Sequence, residues 1–240
     1  MRLCGLVPTY NNPDTVAEVV ERIRPHVQEV ILVDDGSAAA GRAACEQLSQ
    51  RGLAHVVHRR VNGGKGAAVK TGFHVAKERG YSHALQLDAD GQHDAKTIPA
   101  FVAAARREPD AFVVGYPIYD ASAPRGRLWA RKITQFWVDL ETGRGTIRDA
   151  MVGFRVYPIA MALAVEAEGD RMDFDVEIAV RLAWARVPIV NLPVPIRYLT
   201  PEEGGVSHFQ PLRDNLRFSW LHTRLCTQRW FDRARLRLGS

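Results

Sequence analysis

Cysteine is scarce in this chain, and so is any long apolar run. Cys4, Cys45 and Cys226 are three in number, widely separated and without CxxC or His/Cys spacing. That odd, scattered set excludes a disulfide frame and a structural zinc site, and it reads as buried thiols of a cytoplasmic protein. No apolar stretch approaches the roughly 20 residues that spanning a bilayer requires. Nor does a charged-then-apolar leader open the chain, because residues 9–14 interrupt the first apolar run. The GxxxxGKS/T spacing of a Walker A loop is missing, as is a GxGxxG after the first apolar run. What the chain does have is bulk and positive charge. Its 240 residues are 46% hydrophobic, enough for one sizeable core or two intimate halves. A net charge of +5 and a pI near 9.3 point to an anionic partner: phosphates, nucleic acid or a membrane surface.

Apolar runs and turn formers alternate along the first half. Residues 3–7, closed by Pro8, predict a buried strand. The turn-rich loop Thr9-Tyr10-Asn11-Asn12-Pro13-Asp14 follows, and Asp14 or Thr15 is placed to cap a helix to about Pro25, with Val16, Val19, Val20 and Ile23 inward. Residues 29–33 predict a second strand ending in Asp34-Asp35-Gly36-Ser37. A helix over 39–51 and a strand over 54–58 come next. Residues 83–87 form a short apolar run ending in Asp88-Ala89-Asp90-Gly91-Gln92-His93. A helix over 94–107 and a strand over 111–115 close this half. The rhythm predicts an α/β fold, a mostly parallel sheet flanked by helices with right-handed crossovers.

Ligands of such sheets bind beyond the carboxyl ends of the strands. The loops holding Asn11, Asp35 and Asp88 therefore share one rim. Asp88 and Asp90, two apart where a strand ends, suit convergence on a hard cation such as Mg2+ or Mn2+. Buried without a partner they would be costly. A solvated Asp-Ala-Asp-Gly turn is the alternative for this motif alone. The run Asn62-Gly63-Gly64-Lys65-Gly66 allows close backbone approach, and a helix starting near Gly66 would aim its amides and Lys65 at the same rim. Tight packing of a helix entry is the equal alternative.

The texture changes after Tyr116. Arg125, Arg127, Arg131 and Lys132 lie near Trp129, Phe136 and Trp137. Residues 147–157 carry Asp149, a glycine turn at Gly153, and Arg155. Asp173, Asp175 and Glu177 open a helix to about Ala185, where acidic residues are ordinary partners of a helix dipole. Residues 188–196, with their prolines, predict a last strand at a sheet edge. The tail from Val206 interleaves arginines with Trp220, Trp230, Phe231 and several leucines, a pattern suited to a membrane interface. A helix docked on its own domain, or a dimer contact, is the competing reading.

Five motifs in this order resemble family 2 glycosyltransferases of the GT-A fold, in particular the branch of dolichyl-phosphate mannose synthases. They are Val7-Pro8-Thr9-Tyr10-Asn11, Val33-Asp34-Asp35-Gly36-Ser37, Asn62-Gly63-Gly64-Lys65-Gly66, Asp88-Ala89-Asp90-Gly91-Gln92-His93 and Asp149-Ala150-Met151-Val152-Gly153-Phe154-Arg155. The resemblance covers about residues 3–200 and implies a Rossmann-like catalytic domain over 1–205. Its nucleotide-sugar half would be 1–115 and its acceptor half 116–205, followed by an amphipathic helical tail over 206–240. It implies nucleotide-sugar contacts from Pro8, Tyr10, Asn11, Asp34, Asp35, Gly64, Lys65, Asp88, Ala89 and Asp90. It implies a divalent metal on Asp88, Asp90 and Gln92, and phosphate or acceptor contacts from Arg127, Arg131 and Arg155. A hydroxyl acceptor would need a carboxylate base. Asp175 is the first candidate, although Phe174 stands where the family's motif has Glu. Asp149 is the second, or else a structural partner of Arg155. A phosphate acceptor would need no base.

The resemblance thus implies an inverting, metal-dependent enzyme with a nucleotide-diphosphate sugar donor and a lipidic acceptor, without nucleic acid. The tail would hold it peripherally at the inner face of the cytoplasmic membrane. A sugar-phosphate nucleotidyltransferase is one alternative, but the first loop lacks a GxGxRxxP-like pattern. A non-enzymatic membrane- or nucleic-acid-binding module is another, and it leaves the acidic rim unexplained.

Overall fold

Strand β1 (Leu3–Thr9) is buried at all seven positions. A strand covered on both faces needs a continuous apolar run, and that need is met here. The computed structural model describes residues 1–119, 125–196 and 211–238, with the side chains of 125–130, 211–215 and 231–238 outside the description. Around β1 the chain builds a seven-stranded sheet in the order β3-β2-β1-β4-β6-β5-β7. The strands are β2 (Val30–Asp34), β3 (His55–His58), β4 (His83–Gln86), β5 (Phe112–Tyr119), β6 (Arg155–Pro158) and β7 (Ile189–Ile196). Every neighbouring pair is parallel except those of β6, which runs antiparallel to β4 and β5. β7 lies at the sheet edge, as its prolines predict.

Helices α1 (Val16–Ile23), α2 (Ala39–Gln50), α3 (Lys65–Glu78) and α4 (Ile98–Arg107) link the first strands. Helix α1 buries Val16, Val19, Val20 and Ile23, the apolar face expected from spacing. Its expected cap behaves differently. Thr15 makes no cap hydrogen bond and instead donates its hydroxyl to the Ala89 carbonyl at 2.5 Å, tying the first loop to the loop after β4.

The second half adds α5 (Arg125–Thr142), α6 (Ile159–Ala164), α7 (Asp173–Trp184) and α8 (Pro211–Leu238). One core face holds α1, α2 and α4 residues such as Val20, Leu48 and Phe101. The other gathers Phe73 of α3, Val138 of α5, Phe174 and Val180 of α7, and Phe218, Leu221 and Leu225 of α8. Helix α7 is therefore buried nearly all round, between the sheet and α8. The boundary expected at 205/206 lies outside the described residues.

Strand β6 adds to the sequence reading, which assigns no element to residues 155–158; it pairs on both sides within the sheet. One expectation is corrected. Cys226 is half-buried rather than buried, beside Glu141. Cys4 and Cys45 are buried, and burial pushes both thiols up to about 12.

Candidate active site

The strand order reverses between β1 and β4, and the loops that leave these two strands open a crevice there. The loop after β1 is fastened to the loop after β2. Asn11 adopts φ +54°, a conformation asparagine tolerates better than most residues. Its amide donates to Ser37 Oγ at 2.9 Å, and its Oδ1 accepts from the Ala38 amide at 2.8 Å. Pro8 is buried within β1, and Tyr10 is half-buried where the loop begins.

Asp34 and Asp35 are both buried, with different partners. Asp34 accepts from the Ser37 amide at 2.9 Å and pairs with His58 Nδ1 at 2.8 Å. Burial alone would raise its carboxyl, but these bonds outweigh it and hold the group below its ordinary value. Asp35 accepts from the amides of Gly63 at 3.1 Å and Gly64 at 2.7 Å, and faces Arg59 at 3.0 Å. There burial prevails, and the carboxyl is raised.

The glycine loop thus hangs from Asp35 and enters α3. Gly64 has φ +105°, and a Cβ on it would come within 2.5 Å of the Asp170 carbonyl. Only glycine fits that conformation in that space. The next residue, Lys65, reaches across the rim. Its Nζ lies 2.7 Å and 2.8 Å from the two oxygens of Asp88 and 2.6 Å from Asp175 Oδ2. Burial would lower the ammonium, but the two carboxylates outweigh it and hold the group above its ordinary value. Asp88 shows the converse: burial acts upward, and Lys65 with His93 brings it well below the carboxylate range. Asp90 is raised, by burial and then by the neighbouring Asp88. Its Oδ1 accepts from the Gln92 amide at 3.0 Å. The Ala89 side chain packs into the core.

Behind these groups lies Arg155. It was expected at a phosphate, yet its side chain is 0% exposed. It donates to the carbonyls of Val152, Asp175 and Ala150 at 2.7, 2.8 and 2.7 Å, and to the Tyr157 hydroxyl at 3.0 Å. A buried guanidinium survives only when surrounded in this way. Asp175, the expected base, is also buried. It sits beneath Lys65, with Oδ1 3.5 Å from Arg155. Asp149 pairs not with Arg155 but with Arg131 at 2.6 Å, and it also accepts from the amides of Met151 and Val152. Arg127 lies in α5, with its side chain outside the described residues.

The structure therefore brings Lys65, Asp88, Asp90 and Asp175 together and draws Arg155 behind them. Lys65 and Asp175 are far apart in sequence, so no local pattern could announce their pairing. The Asp34–His58 pair was also missed, although β3 lies beside β2 and His58 is its last residue.

A mostly parallel sheet with acidic loops at its reversal point is the architecture of the GT-A fold. The chain belongs to glycosyl transferase family 2, whose family model matches residues 5–161. Membership in that family decides for an enzyme over a binding module. Among curated relatives, the undecaprenyl-phosphate mannosyltransferase of Micrococcus luteus is 28% identical over 81% of this chain and 83% of its own. The polyprenol monophosphomannose synthase of Mycolicibacterium smegmatis is 28% identical over 86% of this chain and 80% of its own. Among solved structures, glucosyl-3-phosphoglycerate synthase of Mycobacterium tuberculosis with UDP superposes with a TM-score of 0.70. That match is at 16% identity and covers 94% of this chain and 80% of the other. A crystal of that synthase also holds Mn2+.

Proposed function

We propose that the protein moves a sugar from a nucleotide-diphosphate sugar to the phosphate of a polyprenyl-type lipid, inverting the anomeric carbon. The observation that carries the acceptor class is the engagement of both expected bases. Asp175 is closed beneath Lys65 and beside Arg155, and Asp149 is held by Arg131 and two amides. A hydroxyl acceptor must lose a proton to such a carboxylate during in-line attack. A phosphate monoester arrives ionised and attacks without one. The names of the Micrococcus and Mycolicibacterium relatives point the same way.

The donor end follows from charge. Loss of a nucleoside diphosphate develops negative charge, and the amino end of α3 faces the crevice with its partial positive charge. Pro8, Tyr10, Asn11 and Asp35 line the base and ribose side in this reading, and Gly64 and Lys65 the phosphate side. Asp88 and Asp90 fit a divalent ion, being hard oxygen donors close enough for one to raise the other. Among the described residues no three His, Cys, Asp or Glu side chains are placed to hold a metal ion by themselves, so Gln92 or the donor itself would complete the shell. When bound, Mg2+ or Mn2+ would neutralise the leaving diphosphate. Arg127 and Arg131 are proposed at the acceptor phosphate.

Among the described residues, no helix is long and apolar enough to cross a membrane. Contact with lipid is proposed instead on the outward faces of α5 and α8, where Ile133, Phe136, Leu140, Leu216 and Trp220 are exposed. That would place the enzyme peripherally at the inner face of the cytoplasmic membrane.

The test uses labelled UDP- and GDP-sugars with Mn2+ and either undecaprenyl phosphate or undecaprenol. Label should enter the organic phase with the phosphate alone. Equal transfer to the free alcohol would overturn the acceptor class, and no transfer from any donor would overturn the enzyme reading proposed here.

A further inference from the structure

Lys65 occupies both oxygens of Asp88, the carboxylate that the proposed reading gives to a divalent ion. Its ammonium lies 2.7 Å and 2.8 Å from them and 2.6 Å from Asp175. The side chain is 13% exposed, so water does little to screen it. Its position is also unusual for a cation. Lys65 is the first residue of α3, and Asp175 belongs to the first turn of α7. The amino ends of helices disfavour positive charge, so the carboxylates are what retain the ammonium there. Asp90 lies beside this clasp, its carboxyl raised by burial and then by Asp88.

We propose that Lys65 is a positioning residue that competes with the divalent ion. It holds Asp88 against Asp175 in the donor-free protein and gives up Asp88 when metal and diphosphate enter together. A dication and an ammonium on the same carboxylate repel, so metal binding to the free protein is weakened. A diphosphate supplies anionic oxygens to which the displaced ammonium can turn, so the weakening vanishes when the nucleotide is present. Metal and nucleotide therefore bind cooperatively, and Lys65 is the source of the coupling. No covalent step is involved. This inference rests on the metal assignment made above.

The test is Mn2+ binding to the full chain, followed by the loss of the free-ion electron paramagnetic signal, with and without UDP or GDP. Lys65→Met is the principal variant. Lys65→Met/Asp175→Asn removes one charge of each sign and guards against misfolding of the single variant. Without nucleotide, both variants should bind Mn2+ about tenfold more tightly than the wild type. With nucleotide, that advantage should disappear or reverse. A merely structural role for Lys65 predicts weaker Mn2+ binding in both conditions, and that result would overturn the proposal. Unchanged affinity in both conditions would overturn it as well. Absence of Mn2+ binding to every form, with or without nucleotide, would instead remove the metal assignment itself and this inference with it.

Discussion

Gly153 lies against the carboxylate of Asp88 so closely that a Cβ built on it would stand 2.0 Å from Oδ2 and 2.2 Å from Oδ1. No side chain fits there unless Asp88 moves. Gly153→Ala should therefore displace Asp88 from Lys65 while leaving the apolar core intact. We expect turnover to fall roughly a hundredfold, the scale of loss for an ångström of misplacement at a reacting centre. Steady-state kinetics beside a thermal melt checks this. A variant with full activity would show that the Asp88 position is not needed.

Asp35 should matter to stability as much as to nucleotide binding. Asp35→Ala leaves the amides of Gly63 and Gly64 without their acceptor and Arg59 without its partner. Two unsatisfied groups at a largely buried position cost about 2–3 kcal/mol. For a domain of this size that lowers Tm by roughly 5–10 °C. Differential scanning calorimetry is the measurement, and an unchanged Tm would mean that the glycine loop holds itself.

Arg155 is expected to behave as a structural cation. Arg155→Met strands three carbonyl acceptors in the interior and leaves Asp175 with Lys65 alone. Breaking a buried charge network from one side costs about 3–5 kcal/mol. Urea unfolding should show that loss. A variant that folds normally and loses only activity would return Arg155 to a phosphate-binding role.

Glu177 sets an acid limb of stability. Burial would raise it, but the amides of Gly169 and Glu168 and the guanidiniums of Arg224 and Arg181 hold it below its ordinary value. Between the folded and unfolded pKa values the unfolded chain binds more protons, so stability rises with pH there. The contribution is complete above about pH 4.5 and is lost as pH falls through the depressed value. Glu177→Gln should be less stable at pH 7 and show a flatter decline on acidification. Parallel declines in denaturant titrations from pH 7 to pH 3 would refute this.

Much of this arrangement was legible because it is local. The inward face of α1 follows from the spacing of Val16, Val19, Val20 and Ile23, and the shared rim follows from where the apolar runs end. Charge was harder to place. Arg155 looks like a ligand contact on its own, although Phe154 and Val156 on either side are both buried. The short run of β6 carries no period because both its faces are covered. Lys65 and Asp175 meet only through the packing of α3 against α7, which no window of sequence contains. The docking of α8 is similar: His222 pairs with Glu141 of α5 at 2.9 Å, both buried.

The outward side of that helix pair makes its own prediction. Phe136 and Trp220 are 63% and 70% exposed, so replacing both with serine should leave the melt unchanged. Binding to anionic vesicles should fall about tenfold or more, as expected from losing two partly inserted aromatic rings. Flotation with phosphatidylglycerol vesicles measures this. Equal flotation of both proteins would place lipid contact elsewhere.

The reversed direction of β6 has a consequence for how the chain tolerates change. In a sheet with one upside-down strand, the loop that enters that strand reaches the same rim as the loops that leave its neighbours. Gln86 and Arg155 are paired across β4 and β6, so Gly153 arrives beside Asp88 by register rather than by chance. Surface loops ordinarily accept extra residues with little penalty. Residues 149–154 are exempt from that freedom, because one inserted residue would slide the strand or push its turn into the crevice. Length variation among related chains should therefore collect elsewhere and leave this connection fixed in length.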